Sequence, residues 1–422
     1  MRRIWDFFFR VKAGFSDLRA SRSRGPESPS RSVFAPRDRR AIGDALASPP
    51  QVYYAETRDV LFPFRNQEFP PMRRLSTAFR CETIAAAATL ALWAAAWLSG
   101  GAAAAGADPA GDLKQELRSV PYQIVYETWR GDNWELFQVG ADGSNPVNLT
   151  NTPRVNEMYP HVSPDGTRIS FVVDEGAGDA KVRNVYVMNR DGTGRKLVAK
   201  NAREPFFTPD GTGIVYAKGE SEKFTILDYA TRGMFVYDLA TGRETPHPCG
   251  KLQHLYNMCA TADGKWFVST VHAGMGCGHA ILAIPANGDA FYNLHIPGCR
   301  PDVSPDGTKV AWGADDYTLR VGELDFAGPE PKVVRQRDVM KSQKPIEVYH
   351  VDWSPDGKYL AFSRGPHGKS LGFPPEMVGM VAKDWNICVA DAAGVNRWVA
   401  ITTDGKSNKE PDWALPAPGK KP

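Results

Sequence analysis

The chain has 422 residues, 42% apolar and 23% charged, a composition that suits a globular protein and leaves room for two or three average domains or one large repeat fold. Its net charge of +3 is unevenly spread: residues 1–80 hold 16 Lys/Arg and 8 Asp/Glu (+8), and the other 342 hold 35 and 40 (−5). A mildly acidic body excludes the clustered Lys and Arg of a nucleic-acid-binding surface over most of the chain.

Residues 1–71 are rich in Arg, Ser and Pro and show no sustained apolar period, so this basic extension is expected to be disordered. From Met72 the pattern changes. "MRRLSTAFR" (72–80) is basic, "TIAAAATLALWAAAWL" (83–98) is apolar, and "SGGAAAAGADPA" (99–110) is small and weakly polar. These are the three regions of a secretory signal peptide, with "AGA" (105–107) before Asp108 as the cleavage site. The alternative for 72–107 is an uncleaved membrane anchor. In both cases Arg73, Arg74 and Arg80 stay cytoplasmic and the body is exported, to the periplasm or beyond. A signal peptide belongs at an N-terminus, so Met72 is the expected start and residues 1–71 an upstream addition; a cytoplasmic tail on an anchored protein is the alternative. Residues 108–119 read as a linker.

The region 120–416 carries an internal repeat. "VSPDGTRISF" at Val162 recurs as "FTPDGTGIVY" at Phe207, "ATADGKWFVS" at Ala260, "VSPDGTKVAW" at Val303 and "WSPDGKYLAF" at Trp353. Pro presets φ in a turn and Asp-Gly tolerates positive φ, so each copy reads as a hairpin between two strands. An alternating strand follows, then a third such as "NVYVMN" (184–189) or "NICVAD" (386–391), then a turn such as "RDGTG" (190–194) and a short fourth strand such as "RKLVA" (195–199). Four strands per unit, with turn aspartates Asp165, Asp210, Asp263, Asp306 and Asp356, predict an all-β propeller. The first strands, "YQIVYET" (122–128) and "WELFQV" (134–139), lack an inner partner. "NKEPDWAL" (408–415) matches an inner strand. The C-terminal strand is therefore predicted to pair with the first blade and close a six-bladed ring. Residues 417–422 are left as a flexible tail.

"ELFQVGADGSNPVNLTN" and the repeated "SPDG" strands resemble the TolB-type, WD40-like propeller repeat of bacterial extracytoplasmic proteins, over nearly all of 120–416. The resemblance implies a six-bladed propeller in the cell envelope. It does not extend to the α/β domain that precedes the TolB propeller. Oligogalacturonate lyases are similar propellers that bind a metal through channel histidines, but no residue of this chain matches those ligands one by one.

Function in a propeller belongs to loops and channel mouths. The position four residues before the Ser of each "SPDG" reads Tyr159, Glu204, Asn257, Arg300 and His350, with Glu410 equivalent in the closing strand. All six are polar or amphipathic amid apolar strands, which predicts a mixed-charge ring at one channel mouth. Four cysteines, Cys249, Cys259, Cys277 and Cys299, crowd the fourth blade. Export permits disulfides among them, in any of three pairings, and no C-x₂-C pair suggests zinc. Cys81 precedes the apolar region, and Cys388 reads as a core residue. The longest insertion, "GPHGKSLGFPPEMVGMVAKD" (365–384), offers Phe373, Met377 and Met380 as a partner-docking element, with 220–233 as a second. Its "GKSLG" (368–372) lacks the hydrolase domain that a nucleophile elbow needs. The expectation is therefore a binding scaffold for an envelope protein, peptide or glycan, with no cofactor, no metal and no catalytic residue assigned. A metal-dependent carbohydrate lyase or hydrolase using the channel is the second reading.

Overall fold

The computed structural model describes residues 109–369 and 372–416. The basic extension, the signal-like segment with Cys81 and the tail 417–422 lie outside these residues. No helix among the described residues is long and apolar enough to cross a membrane.

Six four-stranded antiparallel sheets form six blades. The innermost strands are Asn408–Ala414 in blade I, Asn156–Val162 in blade II, Ala202–Phe207 in blade III, Leu255–Ala260 in blade IV, Cys299–Val303 in blade V and Ile346–Trp353 in blade VI. Blade I is built from both ends of the propeller: Asn408–Ala414 pairs with Gln123–Trp129, in register from Gln123↔Ala414 to Thr128↔Asn408. Thr128 Oγ1 donates to Asn408 Oδ1 across this seam at 2.6 Å. The sequence-derived fold, blade number and closure are those observed.

The repeated decapeptide forms the hairpin between the first and second strands of a blade. Ser163 shows the mechanism. Its Oγ donates to Asp165 at 2.5 Å and accepts the Arg168 N–H at 2.9 Å, while Asp165 also accepts the Thr167 N–H at 3.0 Å. Ser304 and Ser354 repeat the pattern, and Thr208 and Thr261 substitute for serine. The glycine that ends each turn has a φ of 67–72°, which a side chain disfavours. Alternation along the second strands turns Phe171, Tyr216, Trp312 and Phe362, all fully buried, into the layers between adjacent sheets. A single blade cannot bury both faces, and the ring does so for all six.

The segment read as a linker contains a helix, Pro109–Leu117. Leu113 and Leu117 are buried against Ile124, Tyr359, Ile387 and Trp413 at the seam of blades VI and I. Glu116 accepts hydrogen bonds from the Tyr359 hydroxyl and, at 2.6 Å, from Arg397. The i, i+4 spacing of the two leucines explains the docking; nine residues were too few to stand out in the sequence.

Candidate functional site

Every innermost strand is bulged at the same place, between Met158 and His161 in blade II and at the equivalent points of the other five. Six non-glycine residues there adopt a left-handed backbone: Tyr159, Glu204, Asn257, Arg300, His350 and Glu410, with φ between 47° and 58°. These are the six residues singled out in the sequence. Each such conformation costs about 1 kcal/mol or more and persists only where the surroundings impose it. Here neighbouring blades do so. The Tyr159 N–H donates to Glu127 (3.0 Å), Asn257 N–H to Glu204 (2.6 Å), Arg300 N–H to Thr270 (2.8 Å) and Glu410 N–H to Ser363 (3.1 Å).

The six side chains surround the axis in two linked groups, largely buried inside the channel and not solvated at its mouth. Tyr159, Glu204, Arg300, His350 and Glu410 are all at most 6% exposed. Arg300 donates to Asn257 Oδ1 at 2.8 Å, Asn257 Nδ2 donates to the Tyr159 hydroxyl at 3.2 Å, and that hydroxyl hydrogen-bonds Glu204. Between the neighbouring blades VI and I, His350 Nε2 lies 2.8 Å from Glu410 Oε1. Burial pushes the carboxyls of Glu204 and Glu410 up to about 7. Burial, and then the nearby Arg300 charge, hold His350 well below the usual imidazole range. The His350–Glu410 pair is therefore a neutral imidazole beside a carboxyl ready to take a proton.

Two insertions close the channel on one side of this ring. Arg203 donates to the carbonyls of Thr225 (3.2 Å) and Leu227 (2.8 Å), fixing the loop 220–230. Asp228 in that loop lies 3.8 Å from Arg300 and 3.7 Å from Arg183, and it accepts the Val378 N–H at 3.3 Å from the second insertion. Lys409, fully buried beside Glu410, donates to the carbonyls of Pro375 (3.1 Å) and Met377 (2.7 Å) and lies 3.6 Å from Glu127. Trp134 Nε1 donates to the Gly379 carbonyl at 3.3 Å. The expected docking loop is thus an internal plug. Met377 and Met380 are buried and Phe373 half-buried, so the two methionines are not offered to a partner. Apolar side chains in an insertion were read as exposed because sequence does not reveal that a loop folds inward.

On the other side the channel opens. A cavity of about 500 Å³ runs from Tyr159, Asn257, Arg300, His350 and Glu410 to the "SPDG" turns, whose rim is Pro164, Pro209, Ala262, Pro305 and Pro355. Its wall is a second ring, two residues beyond the first. Blades V, VI and I contribute Asp302, Asp352 and Asp412, blade II His161, and blades III and IV the apolar Phe206 and Cys259. Each aspartate spends one oxygen on the next blade: Asp302 accepts the Trp353 N–H (2.9 Å), Asp352 the Trp413 N–H (2.7 Å) and Asp412 the Val162 N–H (2.9 Å). The other oxygen of Asp412 meets His161 Nδ1 at 2.8 Å. Burial and then the neighbouring Asp412 raise Asp302 to about 7, and Asp352 rises well above the carboxylate range for the same reasons. Sequence reasoning passed over this ring, although the threefold "PDW", "PDV" and "VDW" after the first-ring residues was its signal.

The four cysteines expected to pair are free thiols, each in surroundings of its own. Cys249 is packed with Met234 and Leu252 between blades III and IV. Cys259 Sγ contacts the Val268 and Pro301 carbonyls at 3.6 and 3.5 Å, Cys277 begins an outer strand of blade IV, and the Cys299 thiol hydrogen-bonds Tyr256. Cys388 is a buried core residue. Of the "GKSLG" loop, residues 370 and 371 lie outside the described residues. No group of three His, Cys, Asp or Glu among the described residues is placed to hold a metal ion. A larger groove, about 780 Å³, lies off the axis beside Lys218, Arg232, Lys251, Phe235 and Phe291.

No protein-family profile and no curated protein sequence matches the chain. Solved structures with similar folds include a protein assigned as TolB from Agrobacterium tumefaciens, at 20% identity over 56% of this chain and 87% of that one, with a TM-score of 0.39. Hydrazine synthase from Kuenenia stuttgartiensis is 11% identical over 73% of this chain, with a TM-score of 0.49, and the match spans about half (48%) of that longer chain. An oligogalacturonate lyase in complex with manganese is 11% identical over 64% of this chain and 85% of that one, with a TM-score of 0.38. The chain is a six-bladed β-propeller with distant structural similarity to such proteins, and the likeness concerns the fold alone.

Proposed function

We propose that the protein is a non-catalytic binding scaffold of the cell envelope, which receives the end of a partner's peptide or glycan in the blind funnel of its channel. The observation that supports this most is the first ring. Six strained residues make up this ring, and five of them, Tyr159, Asn257, Arg300, His350 and Glu410, hold polar side chains at the closed end of a cavity that is open at the other. Strain of this kind, kept at one layer of every blade, marks a place where side-chain direction matters more than local stability. The basic, apolar and small-residue regions of 72–107 support export.

The rim gives a clean test. Ala262 is exposed at the mouth and touches none of the buried charges, so Ala262→Trp fills the opening and leaves the network intact. Pull-down from an envelope fraction is expected to recover a partner with the wild-type protein and to lose it with Ala262→Trp at an unchanged melting temperature. Retention of the same partner by the blocked protein overturns the proposal.

A further inference from the structure

We propose that the acidic side of the funnel seats the free amino terminus of a peptide whose first side chain is apolar; this rests on the binding reading above.

The funnel wall is divided. Asp302, Asp352 and Asp412 occupy three consecutive blades, and Phe206 and Cys259 occupy the opposite two. An ammonium and an apolar side chain on one Cα match that division. Asp302 and Asp352 stand on adjacent blades of the same wall, and burial, then the neighbouring Asp412 and Asp302, hold the Asp352 carboxyl well above the usual carboxylate range, so that this group carries a proton. That proton holds the place of a cation: an ammonium entering there donates to both carboxylates and displaces it. The floor adds an independent sign. Glu410 Oε1, in a side chain only 5% exposed, lines the same cavity and accepts no hydrogen bond. Its neighbour at 2.8 Å is His350, held neutral, while Arg300 and Lys409 are the positive charges that act on it. Arg300 and Asn257, also on the floor, are placed to hold a peptide carbonyl.

Two other occupants fit less well. A divalent cation takes six or more oxygens, and these aspartates each commit one to a backbone N–H. A glycan stacks on open aromatic faces, and Trp353 and Trp413 in the funnel are only 6% and 5% exposed.

The test is calorimetry on the full chain with the amide of trialanine, its N-acetylated form and calcium chloride. The free tripeptide is expected to bind and acetylation to weaken it at least about tenfold, the scale of a lost charge-assisted contact. Titration in two buffers of different ionisation heat, near pH 7, is expected to show proton release with the free tripeptide. In Asp302→Asn/Asp352→Asn the amide oxygens still accept the Trp353 and Trp413 N–H groups, so the blades stay joined. There the advantage of the free amine is expected to vanish. Equal binding of the acetylated peptide, no binding of either peptide, or saturation by calcium alone overturns the proposal. If Ala262→Trp still abolishes partner capture in any of those cases, the funnel remains the binding site and only its ligand chemistry is wrong.

Discussion

The two ends of the channel are bounded by the same six strands and yet differ completely. At the open end five of the six blades contribute the same short turn, blade I adding Leu415 after its closing strand, and the result is a nearly regular funnel. At the closed end two blades contribute long insertions, and Asp228, Arg183, Arg203 and Lys409 lock them over the axis. Repetition builds the aperture and irregularity builds the floor. A symmetric propeller would be a tube, and two local departures from symmetry make this one a cup.

The most severe way to break that contrast is Lys409→Met. The variant leaves Glu127 and two plug carbonyls without their buried partner, and breaking such a pair costs about 3–5 kcal/mol. Urea unfolding is expected to show a loss of that size, and hydrogen exchange to show 372–380 deprotected before the "SPDG" turns.

Acidity tests both ends together. Glu127, Glu204, Glu410, Glu376 and Asp302 have carboxyls raised to about 7, in each case chiefly by burial. A raised acid binds more protons folded than unfolded, so its stabilisation is complete below pH 4 and is lost as pH rises through 7. The turn aspartates Asp263 and Asp306, lowered to about 2, contribute fully across that window and change nothing in it. The histidines held low, His247, His279 and His350, act in the opposite sense only below about pH 6.5, so the melting temperature is expected to fall between pH 6.5 and pH 8. A flat or rising profile contradicts the buried-carboxyl account.

A single turn is a smaller perturbation. Ser304→Ala removes a donor to Asp306 (2.6 Å) and an acceptor of the Lys309 N–H (2.9 Å), and about 1–2 kcal/mol is expected in urea unfolding with the plug still protected. The smallest effect belongs to Glu116→Gln, whose contact with Arg397 is partly solvated. About 0.5 kcal/mol after screening is expected, with neither channel end disturbed.

The open end was largely legible in the sequence. Ser-Pro-Asp-Gly encodes its turn through local hydrogen bonds, and a local code repeats visibly. The six ring residues were legible as positions, because they keep a fixed offset from that turn. Their burial was not, since it depends on loops from blades III and VI that fold back over the axis. Met377 was misjudged for the same reason. The Asp302–Asp352–Asp412 layer was written in the sequence three times over, but its work is to bridge one blade to the next, and a reading confined to single blades does not see bonds between them. The free thiols of Cys249, Cys259, Cys277 and Cys299 show the converse limit: nearness along the chain said nothing of which sulfurs face one another.

The closing strand has a consequence in time. Asn408–Ala414 brings Lys409 to the plug, Glu410 to the floor and Asp412 to the wall, one residue for each layer of the cup. During synthesis this strand leaves the ribosome after all five other inner strands. Until it arrives, the plug lacks its staple, His350 lacks its carboxyl and blade II lacks the acceptor for Val162. A half-made chain therefore owns most of the ring but lacks the residue that completes each of its three layers.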